Sequence, residues 1–178
     1  DSLIEIDVDD EFKITIRCEQ AVFNISGIDP VEFIPMPEIS KDNCIKLTQF
    51  GLKEVIRQTE FSTAISDVNR MMGGELINVN DNTAKFVTLD GHRMSIRNVK
   101  LNGDFDNQKC IVPIKSLQEV MKIIDSDSQK FVTVYFSKDH ILFQFDKTLV
   151  LSRIMEGEYF KIENMLSSDY DTKVSINR

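Results

Sequence analysis

Hydrophobic and polar positions alternate from the start of the chain. Leu3, Ile4, Ile6 and Val8 precede Asp9-Asp10, Phe12, Ile14 and Ile16 follow, and Phe23 and Ile25 come next. Period two with acidic turns predicts an antiparallel meander. Ile28 to Ser40 carries Pro30, Pro35 and Pro37, three of the four prolines, and reads as an irregular linker. The pattern then changes period. Phe50, Leu52, Val55 and Ile56 give a helical stripe within Leu47 to Glu60, with Thr48 as its N-cap. Asp67 to Gly74 reads as a loop. Strands are predicted at about 75–80, 84–90 and 93–99, the first two separated by Asn80-Asp81-Asn82. After Gly103 the plan recurs. Ile111-Val112 reads as a short strand and Pro113 as a helix start. Leu117, Val120, Met121 and Ile124 form a second stripe. Strands follow at about 131–137, 140–146 and 148–154.

The recurrence has a fixed period. Cys44-Ile45 returns as Cys110-Ile111, and Leu52-x-Glu54-Val55 returns as Leu117-x-Glu119-Val120, spacings of 66 and 65 residues. Such a repeat fixes architecture before any single element does. The predicted class is α+β: two β-α-β-β-β units in one domain, with antiparallel sheets on one side and two helices on the other, related by a pseudo-two-fold axis. A third, partial copy is visible. Phe12-x-Ile14-x-Ile16 resembles Ile141-x-Phe143-x-Phe145, and Gly27 before Glu32-Phe33 resembles Gly157 before Tyr159-Phe160. Residues 1–41 therefore read as the last strands of a preceding domain plus a linker. Residues 42–163 read as a complete middle domain. Residues 164–178 read as a linker and, at 172–178, the first strand of a following domain. An opening on Asp1 and an ending in apparent mid-strand fit a piece of a longer protein.

Composition narrows the function classes. With 178 residues and 42% hydrophobic content the chain can bury a sizeable core. No apolar run approaches the ~18 residues that would span a bilayer. Cys18, Cys44 and Cys110 are odd in number and lack CxxC spacing, which suits a reducing compartment. The net charge of -8 argues against a generic basic nucleic-acid binder. Lysines and arginines nevertheless gather on the predicted helices. There they remain compatible with contact to a phosphate backbone.

The candidate chemistry centres on Leu89-Asp90-Gly91-His92-Arg93-Met94. A strand entering Asp-Gly and leaving through His-Arg-Met makes a tight turn that presents an imidazole, a guanidinium and an apolar side chain together. Asp90 and His92 could be read as an acid/base pair or metal ligands. With only two histidines, His92 and His140, and no HExxH, nucleophile elbow or carboxylate cluster, the residues support catalysis weakly. A plain surface turn and a docking surface both stay open.

Three groups of residues carry a family resemblance. Leu89-Asp90-Gly91-His92-Arg93-Met94 is similar to a Thr-Asp-Gly-His-Arg-Leu motif. Thr59-Glu60-Phe61-Ser62-x-Ala64-x-x-Asp67-Val68 is similar to Thr-Gln-Phe-Ser-x-Ala-x-x-Asp-Val. Ile111-Val112-Pro113 opens the second helix as in that family. Their order and spacing resemble the β subunit of bacterial DNA polymerase III, the sliding clamp. The resemblance implies a non-catalytic processivity factor of DNA replication with no cofactor and no metal. Three such domains in sequence form a subunit, and two subunits close head to tail as a homodimer around double-stranded DNA. It also implies a bacterial cytoplasmic, nucleoid-associated protein without a membrane partner.

Residue by residue, the resemblance implies a pocket for Gln-x-x-Leu-Phe-type motifs of the replicative polymerase catalytic subunit, the clamp loader and other proteins. Its wall would be Met72, Leu89, Gly91, His92, Arg93 and Met94, closed by Phe160, Asn164 and Met165. Methionine adapts to different apolar side chains, and Arg93 could hold a carbonyl or a carboxylate. On residue type alone Met72, Met94 and Met165 fit core packing equally well. The family often has proline at Phe160, arginine and valine at Asn164 and Met165, and threonine at Leu89, so a bulkier, more apolar pocket is expected. The resemblance further implies a DNA-facing surface of Lys53, Arg57, Arg70, Lys115 and Lys122. Lys53 and Arg57 are i,i+4, while Lys115 and Lys122 are i,i+7. A solvated helix face is the plain alternative, given Glu54, Glu60 and Glu119 nearby. The rival function is a non-replicative protein-interaction scaffold using the Asp90–Met94 turn.

Overall fold

The computed structural model describes residues 2–65, 69–166 and 171–175. It divides into two compact units, Asp1–Glu38 and Ile39–Arg178.

The first unit is the predicted meander: β1 (Ile4–Val8), β2 (Lys13–Cys18) and β3 (Ala21–Ser26), all antiparallel. The acidic turn works through its side chain. The Asp9 carboxylate accepts from the Glu11 and Lys13 backbone N–H groups at 3.0 and 2.8 Å, which folds β1 onto β2. Ile6, Ile16 and Phe23 lie opposite one another across the three strands. Ile6 and Phe23 remain about 60% exposed, so this unit has no second layer of its own.

The second unit holds the repeat. β4 (Cys44–Thr48) leads into α1 (Gln49–Thr59), whose N-cap is Thr48, accepting from the Gly51 N–H at 3.0 Å. β5 (Gly74–Leu89) and β6 (Met94–Pro113) are long extended runs paired antiparallel with each other. α2 (Ile114–Ile123) follows, then β7 (Phe131–Phe136), β8 (His140–Phe145) and β9 (Thr148–Arg153). Pro113 is the N-cap of α2 rather than its first helical residue, and the strand before it is longer than the short one expected. A proline without N–H ends the ladder there and hands its carbonyl to the helix.

β5 folds back on itself. The Tyr159 hydroxyl lies 3.4 Å from the Gly74 carbonyl and 3.3 Å from that of Val87. On a straight strand those carbonyls would stand about 40 Å apart. The reversal sits at the register shifts between Val79, Asp81 and Thr83, where Asp81 has φ 50°. This is the predicted Asn80–Asn82 turn. β6 crosses correspondingly: Met94–Lys100 pairs with the second arm of β5, and Phe105–Pro113 with the first.

The two repeats are thus closed by exchange within the second unit. β4, the first strand of the first repeat, pairs with β7 of the second repeat, and β7-β8-β9 continue that sheet. The last arm of β6, the first strand of the second repeat, pairs with β5 of the first repeat. The helices obey the same symmetry. Lys53 Nζ donates to the Ile124 carbonyl at the end of α2, at 3.1 Å. Gln118 Nε2, one repeat later, donates to Glu60 beyond the end of α1, also at 3.1 Å. Between helices and sheets lies the main core, including Leu52, Val55, Ile56, Phe86, Leu117, Val120 and Phe143. Among the described residues, 172–175 of the strand expected at 172–178 carry no strand pairing. Residues 176–178 lie outside the described residues.

Candidate peptide groove and helix cations

The β5–β6 layer is apolar on both faces. Ile77, Val79, Ala84 and Phe86 face the helices. Leu76, Val87, Leu89 and Ile111 face away and form a second buried cluster with Met155, Tyr159 and Ile162. Met71, Met72, Met94, Ile96 and Phe160 pack half-buried around it. A strand buried on both faces reads as a near-continuous apolar run, as Phe86 to Leu89 does. The segment after β9 supplies the cover: the Met155 N–H bonds the Ile111 carbonyl at 2.8 Å, and Tyr159 meets Phe160 edge-on with 5.5 Å between ring centroids.

The Asp90–Met94 turn borders this cluster. The Asp90 carboxylate accepts from the backbone N–H of His92 and of Arg93, both at 3.0 Å, and from Arg93 Nε at 2.8 Å. The His92 N–H first, then the Arg93 side chain, hold its carboxyl below the usual range. Gly91 has φ 88°, a left-handed conformation that favours glycine. Asp90 is therefore occupied as a turn builder, which leaves His92 and Arg93 exposed at the rim. Among the described residues no group of three His, Cys, Asp or Glu side chains is placed to hold a metal.

Thr63, Ala64, Ile65, Asn69, Met72, Asp90, His92 and Arg93 line one cleft. The expected wall residues Met72, His92 and Arg93 are there, with Gly91 exposed in the turn between them. Met94 and Phe160 lie against the apolar cluster beneath. Leu89 does not form a wall. It is 1% exposed and belongs to the buried cluster, because period two turns it inward from the Asp90 rim. Asn164, in the Ile162–Asn164 3-10 turn, and Met165 are exposed, and neither lines the cleft. Sequence reasoning missed Thr63, Ala64, Ile65 and Asn69. Ala64 lay within the second motif, and its N–H bonds the Met72 carbonyl at 3.0 Å, which draws that segment to the methionine. Asp67 and Val68 of that motif lie outside the described residues.

The five helix-side cations fall into different settings. Arg57 makes a bidentate pair with Glu54, both distances 2.8 Å, and Lys122 pairs with Glu119 at 2.7 Å. The Glu54 contact raises the Arg57 pKa, and the Arg57 contact lowers that of Glu54. Lys53 is committed to the Ile124 carbonyl. Arg70 and Lys115 are exposed and line a second cleft together, at the start of α2.

The architecture is thus an α+β domain of duplicated helix-on-sheet units, with an apolar cluster beside an exposed turn. Residues 46–161 match the family model for the DNA polymerase III beta subunit, central domain. A beta sliding clamp of Staphylococcus epidermidis is 30% identical over 174 residues, covering 98% of this chain and 46% of the relative. A crystal structure described as a DNA polymerase III beta subunit, from Eubacterium rectale, shares 48% identity at TM-score 0.87, covering 94% of this chain and 46% of that one. The Bacillus subtilis DNA polymerase sliding clamp gives 30% identity and TM-score 0.86, covering 93% and 44%. The chain belongs to the beta-subunit family of DNA polymerase III, the sliding clamps. Members are non-catalytic accessory subunits. The chain spans about half the length of the curated relatives it matches.

Proposed function

We propose that this chain is part of a ring-forming processivity clamp that encircles duplex DNA and tethers the replicative polymerase through the cleft beside Asp90–Arg93. Residues 1–41 would be the closing strands of a preceding clamp domain, and 164–178 the link towards a following one. Two longer subunits would close head to tail. The observation that carries the reading is the cleft itself. Met72 and the exposed His92 and Arg93 stand over a cluster edged by Met71, Met94 and Phe160. That is an adaptable apolar floor with a polar rim, as a Leu-Phe motif requires. The partners are the polymerase catalytic subunit, the clamp loader and other proteins with such motifs, and the setting is the bacterial cytoplasm at the nucleoid.

DNA contact would come from Lys53, Arg57, Arg70, Lys115 and Lys122. Enclosure removes the need for tight grip, and carboxylates beside Arg57 and Lys122 suit a weak, salt-sensitive contact. Tethering raises the polymerase's effective concentration at the primer end. The test is titration of a labelled Gln-x-x-Leu-Phe peptide into this chain, with Met94→Glu as control. Binding at roughly 100 µM or looser, lost in Met94→Glu, supports the pocket. Silence in this chain and in the longer protein rejects it.

A further inference from the structure

The outward faces of the two helices differ. From Gln49 to Ser62, across α1 and the 3-10 turn that follows it, only Phe50, Arg57 and Phe61 are exposed. Spacings of seven and four residues keep the three on one face, opposite the buried Leu52, Val55 and Ile56. One repeat later, at the spacing of 65 residues, the exposed counterparts of Phe50 and Arg57 are Lys115 and Lys122. Thus α2 presents two cations where α1 presents a ring and a cation, and α1 adds a second ring at Phe61. Phe50 and Phe61 are 45% and 57% exposed. At 1.5 Å per residue their backbone positions stand about 16 Å apart along the axis, with Arg57 between them. Residues 49–62 and 114–124 carry four cations and three carboxylates, a net of +1 in a chain of -8. The helix side thus escapes the acidity of the rest of the chain.

We infer that the outward row of α1 binds single-stranded DNA, with Phe50 and Phe61 as stacking platforms for unpaired bases and Arg57 between them against phosphate. This rests on the reading above that α1 faces DNA, and extends it from duplex to unpaired strand. The ligand follows from what each group can reach. A duplex offers phosphates and groove edges to a helix face, while its base faces are stacked away. Phenyl rings gain stacking only from bases whose faces are free. A partner helix would need apolar anchors three and four residues apart, and Glu54 and Arg57 interrupt any such stripe here. Rings about 16 Å apart suit a strand of roughly five nucleotides, near the small end of single-strand sites. Arg57 holds Glu54 at 2.8 Å, so phosphate displaces a carboxylate, which keeps the grip weak and salt-sensitive.

The test is fluorescence anisotropy of a labelled oligothymidylate of about 12 nucleotides and of a labelled hairpin duplex, each titrated with the chain at low ionic strength. Phe50→Ala and Phe61→Ala are each expected to weaken single-strand binding at least about fivefold and to leave duplex binding within about twofold. Phe50→Leu/Phe61→Leu keeps apolar surface without a ring and should lose as much as the double alanine variant. Phe61→Trp should bind the strand more tightly, which tests the platform without truncation. Single-strand affinity unchanged in Phe50→Ala/Phe61→Ala overturns the inference. An equal loss for strand and duplex also overturns it, since the rings would then be structural. In either case, duplex binding that Arg57→Gln/Lys122→Gln weakens leaves the DNA-facing reading standing. Binding of neither nucleic acid, by this chain or by the longer protein, overturns both.

Discussion

Glu75 and Thr59 join the first arm of β5 to the last turn of α1 inside the core. Glu75 Oε1 lies 2.6 Å from Thr59 Oγ1. Thr59 Oγ1 also lies 2.9 Å from the Val55 carbonyl and 3.2 Å from that of Ile56. Three acceptors surround one hydroxyl proton. The Thr59 hydroxyl is satisfied if it donates into its own helix and Glu75, as the acid, donates to it through Oε1, while Glu75 Oε2 is buried with no partner among the described residues. Burial pushes the Glu75 pKa up to about 8, the Thr59 contact opposes this, and the Glu60 carboxylate adds to it. Tyr159, whose phenol is pushed up by burial and then by Glu75, is the other titratable group facing it. No cation compensates Glu75 among these neighbours.

The sign of the pH effect follows. An unfolded glutamate titrates near ~4.3, below the folded value. Glu75 therefore contributes stability fully present at pH 4 and lost as pH rises towards 8, where the folded chain still holds a proton that the unfolded chain has released. Thermal melts of the chain and of Glu75→Gln from pH 5 to 9 check this. Glutamine keeps a donor to Thr59, so its melting temperature should fall less with pH. At pH 9 it should exceed that of the unaltered chain. Parallel curves would refute the buried-acid reading.

Leu89 separates core from pocket. It is buried among Leu76, Val87, Ile111 and Met155, so Leu89→Ala should cost about 2–5 kcal/mol as a lower denaturation midpoint. Met72→Ala, at a half-buried edge, should cost less than half as much and act chiefly on peptide affinity. Urea melts and peptide titration on both variants give the comparison. A Leu89→Ala chain of native stability would return Leu89 to the wall.

How much of this was legible in the sequence depends on the range of the interaction. The meander, both helices, the Asn80–Asn82 turn and the repeat were readable because period and turn residues are local. Thr48 as an N-cap was readable for the same reason. The exchange of first strands between repeats was not, since which strand lies beside β7 depends on closure of the whole domain. Leu89 was misplaced because position in a motif says nothing about which way period two turns it. Glu75 gave no signal, because a glutamate in a strand is ordinarily solvated, and only the fold shows it buried. Lys53 counted as a helix cation, yet its reach to Ile124 needed the partner helix.

The pseudo-symmetric tethers make a further comparison. Lys53→Gln and Gln118→Ala each cut one helix-to-helix bond, with no partner in common. Each should cost about 0.5–1.5 kcal/mol. The double variant should be additive within about 0.5 kcal/mol in denaturant unfolding. A larger coupling would mean that the helices shift as one body when either tether is cut.

Gly91 tests the turn without touching its contacts. Its φ of 88° lies where an L residue is strained, yet a Cβ there would meet nothing within 4 Å. Gly91→Ala therefore carries a backbone cost alone, about 1 kcal/mol, and Gly91→Asn less, since asparagine tolerates the left-handed region. Because Asp90 holds His92 and Arg93 through their own N–H groups, the strain falls on the segment that sets the rim of the cleft. Peptide affinity should drop several-fold in Gly91→Ala and recover most of the loss in Gly91→Asn, with far-UV circular dichroism unchanged in both. Asp90→Ala removes the same holding bonds from the other side and should match the alanine variant in affinity. If Asp90→Ala bound peptide normally, the rim would not depend on the turn, and the exposed His92 and Arg93 would have no part in holding a ligand.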